Sequence, residues 1–538
     1  MLDSEQLVDV GRRAFAEGDW AGAHDQLSRA RQSSDLEVDD LVLLARAAWL
    51  LSRVPEALAA AEAAFHGLCD VGRTEEAAMN ALQLSMLWYT RGGLTVGAAW
   101  LHRARRLLAD LPEGPAHAYL AYIEASAEAM EGIESAQPHV ERLADLARRF
   151  PVPSVQALSL VVSGLDHLRN GDTTRGFAQL DEAMLPVLAE ALPLEWAGDI
   201  YCTVMHVCHQ LAEYRRMDEW TRATERWCRS LGSEAIYAGI CRVHRLELRS
   251  ARGDWDHIET DLSRVSGDLA GGNPWIAGEG FYQLGELRRL RGATAEAREA
   301  FALARESGID PQPGEALLAL QTGDGGAAWT AIRAALADCG PMARVRLLRA
   351  AVEIALSQRH DDDAQALCAE LRATADEYRS PGFRAWADHA EGMLALAEGD
   401  ARRALEALRR AVDAFRRQRH AFEHARVLAL LARTHEALGD HVAAVGAQTA
   451  ADEIAKRLGA DPGALIGVAG APASIGPLTV REAEILAHVS EGASNRQVAD
   501  ALFISEKTVG RHLANIYAKI GVGSRTAASS WWRAHSRA

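Results

Sequence analysis

Hydrogen-bond donors recur at one-turn intervals near the end of the chain. Between residues 505 and 520, Lys507, Arg511 and Asn515 follow one another every four residues, which places them on one side of an α-helix. Alanines lie beside them on that side and allow the close approach of another backbone. A surface of this kind is suited to hydrogen bonding in a DNA major groove.

The other side of the same segment is apolar. Val509, Leu513, Ile516 and Ile520 are spaced i, i+4, i+7 and i+11, the pattern of a helix that packs on a core. The two sides together predict an amphipathic helix over residues 505–520 with its donors facing outward.

Start and stop signals predict three more short helices around this one. Capping boxes occur at residues 479–482 and 494–497, where a hydroxyl and a carboxyl or amide side chain satisfy free backbone N–H groups at a helix start. The remaining boundaries are the helix ends Gly492 and Gly521 and the helix starts Ser505 and Ser524. This order predicts a helix-turn-helix unit closed by a fourth helix.

These residues resemble the LuxR-type C-terminal DNA-binding domain. The matching residues are Leu478 to Glu482, Gly492 to Asn495, Val498, Ala499, Ile504, Ser505, Thr508, Val509, His512, Asn515, Ile516, Lys519 to Val522 and Arg525. The resemblance implies that the third helix enters the major groove, that Lys and Thr near its start contact phosphates, and that the fourth helix helps to form a dimer.

The resemblance also implies which residues contact DNA. The predicted contacts are Lys507, Thr508, Arg511 and Asn515, with Ser494, Asn495 and Arg496 at the start of the preceding helix. One position departs from the family, because Gly510 stands where the family often has Lys. A glycine inside a helix costs about 1 kcal/mol relative to Ala, and the lysine contact is lost. We therefore expect Arg511 to carry more of the sequence readout.

Charge is divided unevenly along the chain. Residues 475–538 carry a net charge of +3, and residues 1–474 carry −19, which gives the total of −16. Only the C-terminal part is electrostatically suited to a phosphate backbone. An alternative for the C-terminal part is a small helical bundle that binds only proteins. The chain would then be a protein-interaction scaffold or peptide receptor whose C-terminal domain mainly dimerises.

Three potential zinc ligands occur together upstream. Cys202, His206 and His209 are spaced i, i+4 and i+7, which would place them on one helical face. They lie among apolar residues, and the sequence shows no partner ligand. We therefore predict that they are packing residues and that the chain holds no metal.

The sequence offers little support for catalysis. Its only lysines are Lys456, Lys507 and Lys519, so the first 455 residues contain no lysine for a P-loop, a kinase site or a Schiff base. It also contains no nucleophile elbow, zinc-protease pair or dinucleotide fingerprint. We predict no enzymatic activity and no cofactor.

The acidic part of the chain contains an internal repeat. Six Gly-Asp pairs are each followed, five residues after the glycine, by a small or aliphatic residue; they begin at Gly18, Gly171, Gly253, Gly323, Gly399 and Gly439. The copy around Gly285, Gly292, Ala297 and Phe301 resembles the tetratricopeptide repeat, and the spacing of Ala23 and Ala57 equals its period of 34 residues. The resemblance implies about a dozen helix pairs stacked into a superhelix with a concave binding surface.

These observations predict an all-α chain with three parts. Residues 1–458 form a tetratricopeptide-like solenoid, residues 459–477 a flexible linker rich in Gly, Ala and Pro, and residues 478–538 a LuxR-type domain. Seven scattered cysteines, an acidic start and the lack of a long apolar run predict a cytoplasmic protein. The predicted function is transcription regulation by a homodimer on double-stranded DNA, with a protein, peptide or small-molecule effector on the array.

Overall fold

The computed structural model describes residues 3–51, 53–130, 137–230, 236–271, 273–466, 478, 480–490, 492–502 and 506–535. Within these residues the chain is helical and contains no β-strand, which confirms the predicted all-α class. The helices are α1 Ser4–Ala16, α2 Trp20–Ser33, α3 Val38–Leu50, α4 Val54–Asp70, α5 Thr74–Tyr89, α6 Leu94–Ala109, α7 Pro115–Met130, α8 Gln137–Arg149, α9 Pro153–Arg169, α10 Thr173–Leu188, α11 Leu194–Gln210, α12 Tyr214–Ser230, α13 Ile236–Arg252, α14 Trp255–Ala270, α15 Pro274–Leu290, α16 Thr294–Glu306, α17 Gly314–Gln321, α18 Gly325–Ala337, α19 Pro341–Ser357, α20 Asp361–Tyr378, α21 Pro381–Ala397, α22 Ala401–Gln418, α23 Ala421–Ala437, α24 His441–Leu458, α25 Pro462–Ile466, α26 Val480–Ser490, α27 Asn495–Ala501, α28 Glu506–Ile520 and α29 Arg525–His535.

The repeated Gly-Asp pair forms the turn inside a helical hairpin. Gly18 ends α1 in the left-handed region, with a φ of +79°, a conformation that a side chain disfavours. Asp19 then caps α2 by accepting the Gly22 N–H at 2.9 Å. The same cap forms after the Gly-Asp pairs at Gly171, Gly323, Gly399 and Gly439. Each copy of the predicted repeat therefore ends one helix with its glycine and begins the next with its aspartate.

Small residues lie where paired helices cross. A Cβ on Gly285 of α15 would lie 2.5 Å from the ring of Phe301 in α16, so only glycine allows this approach. The residues five positions after the repeated glycines are buried in the same way, as Ala23 and Ala404 show. Most helices contact the next helix, and several also contact the next but one, such as α5 with α7 and α19 with α21. Helices α1 to α24 therefore build the stacked helical hairpins predicted as a solenoid.

Helices that lie far apart in the sequence pack against each other in the solenoid. Helices α13 to α15 share one hydrophobic cluster with α23 to α25, in which the rings of Trp255 and Phe422 lie 5.7 Å apart. The Ser380 hydroxyl donates to the Leu211 carbonyl, which joins the start of α21 to the end of α11. The middle of the array is thus joined to its C-terminal helices.

Charged side chains pair between these distant helices. We call them the polar interior, which consists of the pairs Arg426–Glu353 at 2.7 Å, Arg349–Glu423 at 3.1 Å, Arg289–Glu286 at 2.8 Å and His209–Glu247 at 2.8 Å, together with Arg346 and Glu279. These groups come from α11, α13, α15, α19 and α23, which are distant in sequence. Burial lowers the pKa of His209 to about 3, so its ring is neutral, and its Nδ1 lies 2.8 Å from a carboxylate oxygen of Glu247.

The flexible linker predicted for residues 459–477 is wrong at its beginning. Residues 462–466 form α25, and its Ala464 and Leu465 are buried against α15 and α23. The Asp461 N–H donates to the Leu290 carbonyl at 2.8 Å. The high content of Gly, Ala and Pro concealed this short apolar anchor. Residues 467–477 lie outside the described residues. No helix in the described part of the chain is long and apolar enough to cross a membrane.

Candidate nucleic-acid interface

Helix α28 has the two sides that its sequence predicts. Val509, Leu513 and Ile516 are buried and pack with residues of α26, α27 and α29, while Ile520 is half-buried at the edge of the same cluster. This small core holds the four helices α26 to α29 together. Because the apolar side is fixed inward, the other side of α28 must face outward.

The capping signals of the domain are confirmed where they are described. The Ser494 Oγ accepts the Gln497 N–H at 3.3 Å, and the Gln497 side chain accepts the Ser494 N–H at 2.8 Å, so the second capping box is complete. Gly492 and Gly521 have φ values of +95° and +68° after α26 and α28. Thr479, Phe503, Ile504 and Ser505 lie outside the described residues.

The outward side of α28 presents polar groups on a flat surface. Arg511 and Asn515 are exposed and lie one turn apart, and Thr508 is half-buried one turn before Arg511. The Lys507 side chain lies outside the described residues. Ala514, beside Asn515, is exposed, and a Cβ on Gly510 would meet no atom within 4 Å. A neighbouring molecule could therefore approach the α28 backbone closely here.

The start of α27 lies in the same small domain and is held by α29. Ser494 and Arg496 are exposed, whereas Asn495 is half-buried and its Oδ1 accepts from Arg525 Nη1 at 2.7 Å. Arg525 also donates to the Ala493 carbonyl. This arginine therefore positions the start of α27, a role that the sequence did not reveal even though Arg525 belongs to the matching pattern.

An ion pair joins α26 to α28. Lys519 Nζ lies 2.7 Å from the carboxylate of Glu482, whose side chain is only 5% exposed. The sequence assigned Glu482 to a capping box with Thr479, which lies outside the described residues. Lys519 is thus a positioning residue, because its charge is committed to the partner helix.

The three upstream candidates for metal binding point to different neighbours. Cys202 packs near Trp49, whereas the His206 ring lies 5.6 Å from the Trp275 ring and His209 pairs with Glu247. Within the residues that the structure describes, no three His, Cys, Asp or Glu side chains are grouped so that they could hold a metal ion. The three residues, which were predicted to share one helical face, therefore contact three different neighbours.

Comparison with known proteins identifies the C-terminal domain. Residues 476–532 match the family described as "Bacterial regulatory proteins, luxR family". The chain is 56% identical over 54 residues to the CsgBAC operon transcriptional regulatory protein of Escherichia coli (strain K12), which is 10% of this chain and 25% of that protein. It is 51% identical over 51 residues to the transcriptional regulatory protein DegU of Brevibacillus brevis, which is 10% of this chain and 22% of that protein. The match thus spans about a quarter of the length of these relatives.

The array has distant structural neighbours. The crystal structure of a Rap protein complexed with competence and sporulation factor superposes with a TM-score of 0.41 at 11% identity, over 71% of this chain and 99% of that chain. The APC/C hetero-tetramer Cut9-Hcn1 superposes with a TM-score of 0.43 at 13% identity, over 85% of this chain and 88% of that chain.

Proposed function

Because residues 476–532 form a LuxR-type helix-turn-helix domain, we propose that this chain is a DNA-binding transcriptional regulator that inserts α28 into the major groove. The exposed polar side of α28, with Arg511 and Asn515 one turn apart opposite the buried core, is the observation that carries this proposal. An α-helix fits the major groove of B-DNA, where base edges present distinct patterns of donors and acceptors.

The proposed contacts divide into two groups. Arg511 and Asn515 lie on the middle of α28 and are assigned to base edges, since Arg pairs with guanine and Asn with adenine in a bidentate manner. Residues near the helix starts are assigned to phosphates, namely Lys507, Thr508, Ser494, Asn495 and Arg496. The bond from Arg525 occupies the Asn495 carbonyl oxygen, and the Asn495 amide N–H groups are assigned to the phosphate.

We further propose that the protein binds as a dimer and that the array receives a signal or sets the oligomeric state. Two domains in a dimer would read half-sites about one helical turn apart, 10 to 10.5 base pairs. The array is the acidic part of the chain, so it is unsuited to nucleic acid, and its partners are expected among proteins, peptides and small molecules.

Selection of genomic DNA fragments by the purified full-length protein at two salt concentrations tests the DNA-binding proposal. We expect specific sites to be enriched and binding to weaken steeply with salt. Arg511→Ala should reduce discrimination between specific and random DNA by about 1 to 3 kcal/mol. Arg298→Ala, on an exposed surface of the array, is the matched control.

Two other outcomes would change the assignment. Equal losses by Arg511→Ala on specific and random DNA would move Arg511 to the phosphate group. A failure to enrich any fragment would favour a protein-interaction scaffold whose C-terminal domain mainly dimerises, an alternative supported by Gly510 and by the small positive charge of the domain. Partners captured without DNA protection would then identify the scaffold.

A further inference from the structure

Carboxylates of α21 join α20 and α22 side by side. Near the starts of the two helices, Gln365 of α20 and Arg403 of α22 both donate to Glu398, at 2.8 and 2.7 Å. The same arrangement recurs seven residues further along each helix. The second bridge consists of Arg372, Arg410 and their shared acceptor Glu391, at 2.6 and 3.3 Å. Because the two bridges follow in the same order, α20 and α22 run parallel at nearly the same height.

The outward face of α20 is acidic at both ends and apolar between them. The helix buries Cys368 and Leu371 against the array. The stripe opposite these residues is spaced i, i+4, i+7, i+11 and i+14, and it consists of the exposed residues Asp362, Ala366, Ala369, Ala373 and Asp376. Within the part of the chain that the structure describes, neither Asp362 nor Asp376 forms an ion pair.

The outward face of α22 carries a row of arginines in an otherwise acidic array. The helix contains six arginines and two carboxylates, a net charge of +4. Arg402, Arg409 and Arg416 are exposed and follow one another every seven residues, opposite the buried face. Arg416 pairs with Asp413 of its own helix at 2.7 Å, whereas Arg402 and Arg409 form no ion pair among the described residues. This row therefore offers positive charge to a partner.

The two outward faces match in charge and in length. Asp362 and Asp376 are 14 residues apart on α20, a distance of about 21 Å along the helix. Arg402 and Arg416 are also 14 residues apart on α22. A two-fold axis along the groove between the parallel helices would place α22 of each copy over α20 of the other, with the helices parallel. The alanines in the middle of α20 would allow close approach.

We propose that the α20–α22 face is the surface through which two copies of this chain form a symmetric dimer, in which Arg402 and Arg416 of each copy pair with Asp362 and Asp376 of the other. In a two-fold interface the same surface is used by both copies, so each of these contacts forms twice. Exposed ion pairs are individually weak and screened by salt, so we expect a weak dimer that dissociates as the ionic strength rises.

A second copy fits this face better than a polyanion does. The arginine row alone would suit phosphates, but the acidic ends of the neighbouring α20 would repel them. The groove between the two helices is balanced in charge. It contains Arg372, Arg403 and Arg410 with Asp388, Glu391 and Glu398. A partner must therefore present a negative stripe beside a positive one, and a second copy related by the two-fold axis does so.

This inference rests on the proposed role of the array in setting the oligomeric state, and its test needs no DNA. Sedimentation velocity of the full-length protein over a range of concentrations, at about 50 and about 500 mM salt, measures self-association. We expect a dimer at low salt whose dissociation constant rises about tenfold or more at high salt. A protein that stays monomeric at low salt would overturn the proposal and leave DNA binding through α28 untouched.

Charge-reversed variants test the pairing between copies. The first variant combines Arg402→Glu with Arg416→Glu, and the second combines Asp362→Arg with Asp376→Arg. Each should weaken self-association about tenfold or more, because like charges then face each other across the interface. An equimolar mixture of the two variants should regain the dimer, since each variant presents the opposite charge to the other. The control Arg298→Glu, on the exposed side of α16, should leave the dimer unchanged.

Three results would contradict this interface. Variants that dimerise like the wild type would place the interface elsewhere, and so would a mixture that stays monomeric although each variant keeps the wild-type melting temperature. Random duplex DNA that binds the wild type but not the first variant, without self-association, would assign the arginine row to nucleic acid. If a reversed variant melts at a lower temperature, Arg402→Gln with Arg416→Gln replaces it and should still weaken the dimer.

Discussion

The array and the C-terminal domain place their polar groups on opposite sides of their helices. The array encloses charged pairs such as Arg426–Glu353, whose side chains are 6% and 5% exposed. The domain has a small apolar core and presents Arg511 and Asn515 outward. The array thus buries its charges among its helices, whereas the domain presents polar groups to its surroundings.

The largest expected effect comes from breaking a charge pair in the polar interior. Arg426→Met leaves the carboxylate of Glu353 buried without its partner, which typically costs 3 to 5 kcal/mol, so we expect a loss of about this size in the free energy of unfolding. Urea denaturation followed by circular dichroism measures it. The control is Arg416→Met, which removes an exposed pair with Asp413 and should cost less than about 1 kcal/mol. Equal costs would mean that water reaches the interior pair.

A core substitution in the domain tests whether the two regions are independent. Ile516→Ala empties part of the fully buried cluster and should destabilise the domain by about 3 kcal/mol. We expect DNA binding to fall while the main thermal transition of the array is unchanged, as calorimetry can show. Ala514→Ser, on the exposed side of α28, is the control. A simultaneous shift of the array transition would show that the regions unfold together.

Acid should weaken the array through its buried histidines. The pKa of His244 is lowered to about 3, chiefly by burial; the nearby His209 also lowers it, and Glu247 raises it. Between about pH 6.5 and pH 3 the unfolded chain binds a proton at this residue that the folded chain does not, so stability falls as the pH falls. The loss should reach about 2 kcal/mol at about pH 5 for this residue.

The variant His244→Gln checks this contribution. Urea midpoints of the wild type and the variant at about pH 7 and pH 5 give the slope of stability against pH for each protein. We expect the variant to lose less stability on acidification. The same change at the exposed His441 should leave the slope unaltered. An identical slope for wild type and His244→Gln would show that His244 does not titrate as described.

The smallest expected effect is a gain of stability at Gly510. An added Cβ there meets open space, so Gly510→Ala should stabilise the domain by about 1 kcal/mol through helix propensity alone. The melting temperature of the domain measures it, and Gly523→Ala in the loop after α28 serves for comparison. A loss of DNA affinity without a change in stability would indicate that the DNA occupies the open space at Gly510.

Local sequence patterns predicted the helices of both regions, but they did not predict contacts between residues far apart in the sequence. The sequence predicted the Gly-Asp turns and the apolar stripe of Val509, Leu513 and Ile516, because each depends on neighbours within a few residues. The packing of distant helices depends on contacts such as Trp255 with Phe422, which are too far apart in sequence to produce a periodic pattern. The bridge from Arg525 to Asn495 was missed for the same reason.

The anchored α25 sets the reach of the domain. Ile466 ends α25, and Leu478 begins the domain core twelve residues later, so the two backbones can be no more than about 40 Å apart. On DNA, this connecting segment would hold the α25 end of each array within roughly one turn of the double helix from its half-site, a distance of about 34 to 36 Å. Any molecule carried by the array would be delivered beside the bound site at an effective concentration of the order of a millimolar.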